Sequence, residues 1–314
     1  MWTKPWTMKE GFLIGGGLIF AGLMLQLSVG PVVWEAFAWP TNGIVLAGFL
    51  AIIIGMFLLR KRVYAFRFIG TYQAAIPTLM YAVAMTIIMG LTRQRAGGLS
   101  PEMAVDGTWL NNMLTFWPFV LVYVYMAVIL GMVVLQSLLT IRRSPFTIHY
   151  SLLSHLGLFL TMAAATLGNA DMQRLKMITV VGEPEWRALT QEGMVREMPL
   201  TIELKRFIME TYDDGSPKRF ASEILIQTNS DKRSTLGSLL AEGSKNIEAT
   251  VDVNKPVEVD GWKIYQYGYD TQMGAKSKTS ILELVSDPWL PLVYIGIYMM
   301  LAGALCMFVF GRRR

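Results

Sequence analysis

Cysteine is all but missing from this 314-residue sequence, with Cys306 the single example. One cysteine cannot build an internal disulfide framework or a thiol–disulfide exchange pair. There is no Cys-x-x-Cys-His either, so the chain carries no covalent c-type haem of its own. Histidine is nearly as scarce, with only His149 and His155. Charged residues make up 16% of the chain, against about a quarter in a soluble domain. No Walker loop, dinucleotide fingerprint or His-Glu-x-x-His occurs, and no repeat at a solenoid period. The net charge of +5 forms no basic stripe on a polar element, so nucleic acid is not an expected partner.

What is abundant is apolar: 53% of residues, with a mean hydropathy of +0.42. Six runs are long enough to cross a hydrocarbon core, which takes about 20 helical residues. They are 11–30, 42–59, 69–92, 114–140, 148–169 and 288–310. The first is read as a span rather than a signal peptide, because it is long, lacks a clear cleavage site and leads straight into a second span. The short loops set the orientation. Lys4, Lys9, Arg60, Lys61, Arg62, Arg67, Arg142, Arg143 and Arg312–Arg314 fall on one side if the spans alternate. The opposite loops carry Glu35, Arg93, Arg95, Glu102 and Asp106. Both termini are therefore expected in the cytoplasm of a multi-pass cytoplasmic (inner) membrane protein. Cys306, inside the last span, reads as a packing residue.

The segment 170–286 is polar and strand-like, so the expected fold class is a polytopic α-helical membrane protein of six transmembrane helices. A mainly β extracytoplasmic domain lies between helices five and six. The expected domains are 1–169, a five-helix region; 170–286, the β-rich domain; and 287–314, the last helix with a basic cytoplasmic tail. Strands are predicted at 201–211, 220–228, 249–253, 262–269 and 280–285 from alternation and β-branched content. Asp213-Asp214-Gly215-Ser216-Pro217 and Asn229–Lys232 read as turns. Short helices are predicted at 184–194 and 234–243. Trp262, Tyr265, Tyr267 and Tyr269 suit cross-strand and core packing, or a surface that meets a partner or a porphyrin edge.

Both histidines fall at the start of the fifth span. Ionisable residues in a span are costly and mark function by default. Six positions put His155 about 9 Å beyond His149 and about 240° around the helix. The two therefore cannot ligate one metal together, and a haem bound here would take one axial ligand from this helix. The alternative is a hydrogen-bonding residue between helices. Ser151, Ser154 and Gly157 beside His155 would let another helix, or a flat ligand, come close.

The stretch from Pro145-Phe146-Thr147-Ile148-His149-Tyr150-Ser151 to His155-Leu156-Gly157-Leu158 resembles the third helix of ResB-type (CcsB) proteins. Further matches follow in family order: Met198-Pro199-Leu200, Tyr212 and Gly215, Lys218–Ile226, and Val253-Asn254-Lys255-Pro256. Gly261-Trp262-Lys263-Ile264-Tyr265-Gln266-Tyr267-Gly268-Tyr269-Asp270 and Asp287-Pro288-Trp289-Leu290-Pro291 complete the series. The resemblance covers roughly residues 69–314. It implies an accessory subunit of the System II cytochrome c synthetase, taking part in cytochrome c-type biogenesis and haem transport. It implies transient, non-covalent haem b, with His155, or else His149, as axial ligand to the haem iron. The implied partners are apocytochrome c and a ResC/CcsA-type membrane protein with a tryptophan-rich haem-handling segment. No catalytic residue and no activity of the chain alone are expected; ligation would reside in the complex.

Two features depart from the family pattern. Spans 11–30 and 42–59 are extra, and the polar domain is short. The tryptophan-rich segment is absent, since Trp109 and Trp117 lack its accompanying Gly and Asp, so a separate partner is required. Arg60–Arg62, Arg142 and Arg143 suit propionates, although setting topology is the simpler role. The competing reading is a structural or haem/quinone-binding membrane subunit of a respiratory complex; two poorly placed histidines and no second intramembrane pair argue against its electron-transfer form. A transporter is disfavoured by the lack of a charged or broken-helix site at the midplane.

Overall fold

The structure is a computed structural model and describes residues 3–94, 109–141, 149–191, 193–214, 216–228 and 245–310. Outside these lie Arg95, Glu102, Asp106, Arg142, Arg143, Pro145–Ile148, Gly215, the turn expected at 229–232, the helix expected at 234–243 and Arg312–Arg314. The chain forms two compact units: a helical one up to Asp171 and again from Pro288, and a second over Met172–Asp287.

Helix α1 (Met8–Val29) opens with a capping box. Thr7 accepts from the Lys9 amide, while Glu10 accepts from the Thr7 amide at 2.7 Å, satisfying donors that a helix start leaves orphaned. Helices α2 (Thr41–Leu59), α4 (Tyr72–Leu91), α5 (Trp117–Ile141), α6 (His149–Gly168) and α7 (Leu290–Phe310) follow. A short α3 (Tyr64–Ile69) links α2 to α4 and was not foreseen. The six long helices are each long and apolar enough to cross a membrane. They also expose large apolar side chains, such as Phe20, Ile44, Leu58 and Phe308.

Glycine sets how closely these helices approach. A Cβ on Gly157 would fall 2.6 Å from the Gly296 carbonyl oxygen, so α6 and α7 meet backbone to backbone. Gly303 meets Ser154 and the Tyr150 carbonyl in the same seam. Pro77 inside α4 has no N–H to offer the Gln73 carbonyl four residues back. That carbonyl lies against Gly11 of α1, where any side chain would collide with it.

The second unit is one eight-stranded antiparallel sheet in the order β5-β4-β3-β2-β1-β8-β7-β6. The strands are β1 (Gln173–Val180), β2 (Pro184–Leu189), β3 (Val195–Thr211), β4 (Pro217–Thr228), β5 (Lys245–Asp252), β6 (Val257–Val259), β7 (Trp262–Tyr269) and β8 (Thr279–Ser286). Strand β5 packs across onto β6 and β7, so the sheet folds over its own core of Met177, Leu200, Ile202, Leu204, Ile226, Leu282 and their neighbours. The five predicted strands are present. The helix expected at 184–194 is instead β2 and the turn after it. Its residues pair with β3, with a register shift between Glu185 and Arg187 that disguises the alternation. A second shift, between Gln266 and Gly268, explains why Trp262–Tyr269 breaks strict period two.

Candidate functional site

Helix α6 fixes His155. Its Nδ1 lies 2.7 Å from the Ser151 carbonyl oxygen and 3.3 Å from Ser151 Oγ. A carbonyl can only accept, so Nδ1 donates in this contact and Nε2 is the ring nitrogen turned away from it. An Nδ1 held by a backbone carbonyl is the arrangement usual for imidazoles that ligate a metal through Nε2. His155 is half-buried.

The faces of α6 divide cleanly. Tyr150, Ser154, Gly157 and Thr161 face α7. Phe159 stacks on Phe49 of α2 and lies against Gly131 of α5. His155 is one turn before Phe159 and so shares that second face. Of the two uses open to the small residues beside it, Ser154 and Gly157 serve close helix packing, while Ser151 holds the imidazole. His149 begins α6, but its side chain lies outside the described residues. The six-residue spacing keeps its Cα about 240° away from that of His155. Among the described residues no three His, Cys, Asp or Glu gather as metal ligands.

Two of the cavities beside the helices lie against α5. One, of about 280 Å³, is apolar and lined by Trp34, Phe119, Val120, Tyr123, Thr166 and Asn169. The other, of about 410 Å³, lies at the opposite end of α5 and is lined by Arg60, Lys61, Arg67, Gly70, Thr71 and Gln136.

A polar cluster that the sequence did not single out ties three helices together. Asp171 accepts from the Trp39 amide at 2.7 Å, Asn42 Nδ2 at 2.7 Å and Trp289 Nε1 at 2.6 Å. Burial pushes this carboxyl up, but the three donors outweigh it and hold it below the usual carboxylate range. The signal lay in Asp287-Pro288-Trp289, whose tryptophan is needed as a donor as well as for its ring, which covers Gly168.

The sequence motifs of the polar segment prove to build its fold. Ser222 donates to Gln266 Oε1 at 2.6 Å, and Gln266 Nε2 donates to the Ser280 hydroxyl at 2.9 Å and the Gly268 carbonyl at 2.9 Å. Tyr269 stacks on Phe207 at 5.0 Å and meets Phe220 at a tilt, 5.2 Å away, and Ile264 is fully buried. Tyr267 is 52% exposed, with Lys176 Nζ 3.9 Å above its ring. Asn254 adopts φ 63° in the turn before Pro256. Asp260 and Gly261, at φ 49° and 80°, turn β6 into β7, as a two-residue hairpin requires. Arg219 bridges Asp252 at 2.7 Å and Glu210 at 3.0 Å, and its hydrogen bond holds the Asp252 carboxyl down.

Residues 149–283 match the model of the ResB-like family, which bears out the resemblance read from the motifs that begin at His149. The match is narrower than the 69–314 expected: it stops within β8, before the Asp287-Pro288-Trp289 entry into α7. No curated protein matches the sequence. Among solved structures, a cytochrome c haem lyase, CcmF, is similar at 16% identity and a TM-score of 0.34, over 96% of this chain. The chain spans 46% of the length of that protein.

Proposed function

We propose that this chain is an accessory membrane subunit of a System II cytochrome c synthetase, helping to move haem across the membrane and present it to apocytochrome c. Three observations support the reading: the ResB-like match over 149–283, six apolar helices with exposed apolar side chains, and the His155 imidazole, held by the Ser151 carbonyl. The last carries the proposal. The Ser151 carbonyl holds His155 Nδ1, which fixes the ring and leaves Nε2 turned away from that contact. Haem b, when bound, supplies an iron that takes an axial nitrogen and vinyl groups that apocytochrome thiols can attack. His155 would hold the haem iron from this chain, and the rest of its ligation would fall to a ResC/CcsA-type partner, a division suited to transient holding. In this reading the termini are cytoplasmic and 172–287 is extracytoplasmic, as the lysine and arginine distribution favours.

The test is an absorption spectrum of the chain purified alone and co-expressed with a tryptophan-rich partner, for wild type, His155→Ala and His149→Ala, alongside c-type cytochrome assembly in cells. A Soret band lost or shifted in His155→Ala, with assembly lost, is the expected result. No haem in any form, with assembly intact on deletion, would overturn the proposal in favour of a structural subunit of a respiratory complex.

A further inference from the structure

We infer that the basic cavity at the α2–α3–α4 end of the helical unit binds the phosphate headgroup of an anionic phospholipid. The inference rests on the membrane placement proposed above, and not on haem. Three cations converge there: the adjacent Arg60 and Lys61 just past the end of α2, and Arg67 on α3. Among the described residues, every ion pair lies within Met172–Asp287 and none engages these cations. Arg60 is pinned by donating to the Phe57 carbonyl and by lying 3.6 Å over the Phe57 ring. One guanidinium is thus pre-placed.

The site continues beyond one pocket. Arg67 and Thr71 also line an adjoining cavity of about 430 Å³ that adds Lys4, Trp6 and Tyr64. The Thr71 hydroxyl donates to the Phe68 carbonyl at 2.6 Å instead of capping α4, so the positive end of α4 stays open to an anion. Both volumes fall in the roughly 300–1,000 Å³ range of ligand sites.

Two further observations decide which anion. Leu58, Leu59, Val63, Tyr72 and Ile76 are exposed around the same helix ends, an apolar surface for acyl chains that a free phosphate would not use. Gln136 follows Gly131 by five residues, about 140° around α5. The cavity therefore does not share the α5 face that meets Phe159, and by extension His155. Basic pockets between spans on the cytoplasmic side are suited to anionic headgroups.

The test uses the full chain, haem-free, in detergent micelles, titrated with phosphatidylglycerol or phosphatidylcholine and read by retained lipid in native mass spectrometry. Wild type should retain phosphatidylglycerol preferentially. Lys61→Gln and Arg67→Gln should each weaken retention about fivefold, with unchanged melting in phosphatidylcholine. Arg62→Gln, in the same linker but outside the cavity lining, should leave retention intact. Equal retention of both lipids, an equal loss in Arg62→Gln, or displacement by millimolar inorganic phosphate would overturn the lipid site. Because no haem is present, these outcomes are independent of the Soret and assembly test.

Discussion

Trp289 Nε1 donates to Asp171 Oδ2 at 2.6 Å, across the 118 residues that separate them in sequence. The same carboxylate accepts from Trp39 and Asn42, so the start of α2, the end of α6 and the start of α7 share one anion. Asp171→Ala strands three donors and should cost about 1–3 kcal/mol. Trp289→Phe removes one donor and should cost less. Thermal unfolding in detergent, monitored by size-exclusion recovery, ranks the two; a larger loss for Trp289→Phe would mean that ring packing dominates.

Acid should weaken this junction. The Asp171 carboxyl is held below its ordinary value in the folded protein, so its contribution is fully present above the unfolded carboxylate range. It is lost as pH falls through the lowered folded value. Melting temperatures of wild type and Asp171→Asn should differ most above the ordinary carboxylate value of about 3.9 and converge as pH falls through the lowered folded value. A constant difference across that interval would show that ionisation is not involved.

Gly157 tests the helix seam. A methyl group there would sit 2.6 Å from the Gly296 carbonyl and 2.8 Å from the Met300 amide. These are backbone atoms that cannot rotate away, so Gly157→Ala should destabilise by about 1–3 kcal/mol. Gly17→Ala, where a Cβ meets nothing within 4 Å, is the matched control and should be neutral in the same melting assay.

Tyr125 offers the opposite sign. Its hydroxyl is buried without a hydrogen-bond partner among the described residues, beside the cluster of Phe68, Ala74 and Ile129. Tyr125→Phe should therefore be neutral or stabilising by up to about 1 kcal/mol. A clear loss in melting temperature would indicate a partner for that oxygen in solution.

Gln266 should prove structural. Gln266→Leu removes the acceptor of Ser222 and a donor to Ser280 inside the sheet, at about 1–3 kcal/mol. Protease resistance of the purified chain over the β-sheet unit should fall accordingly. Unaltered resistance with lost cytochrome assembly would instead give the network a direct functional role.

Period and composition made the six long helices and five of the strands legible in the sequence, because a long apolar run, or burial on one face of a strand, leaves a one-dimensional trace. Strand β2 left none: its bulge and the exposed Trp186 mimic a short amphipathic helix. Helix α3, a single six-residue element, is too short for a periodic signal. His155 is legible from scarcity, from its place in an apolar span and from the motif around it, but the Ser151 carbonyl that holds its Nδ1 is a backbone atom and has no residue code. The Asp171 junction and the basic cavity were illegible for a related reason. Each assembles residues from three or more segments, and only the fold places them together.

The glycine seam has a consequence for synthesis. Helix α6 ends at Gly168 and α7 begins at Leu290, so the ribosome must make about 120 residues before α6 meets its packing partner. At roughly 5–20 residues per second that delay is on the order of ten seconds. During it, the least apolar of the six long helices holds Ser154, Gly157 and Thr161 without their native neighbour. Strand β8, which completes the sheet by pairing with β1, emerges immediately before α7. Closure of the sheet and closure of the helix seam thus fall within the same few residues of elongation. A nascent chain stopped at Asp287 should keep its sheet, lose α6 stability and be cleared quickly in a pulse-chase experiment.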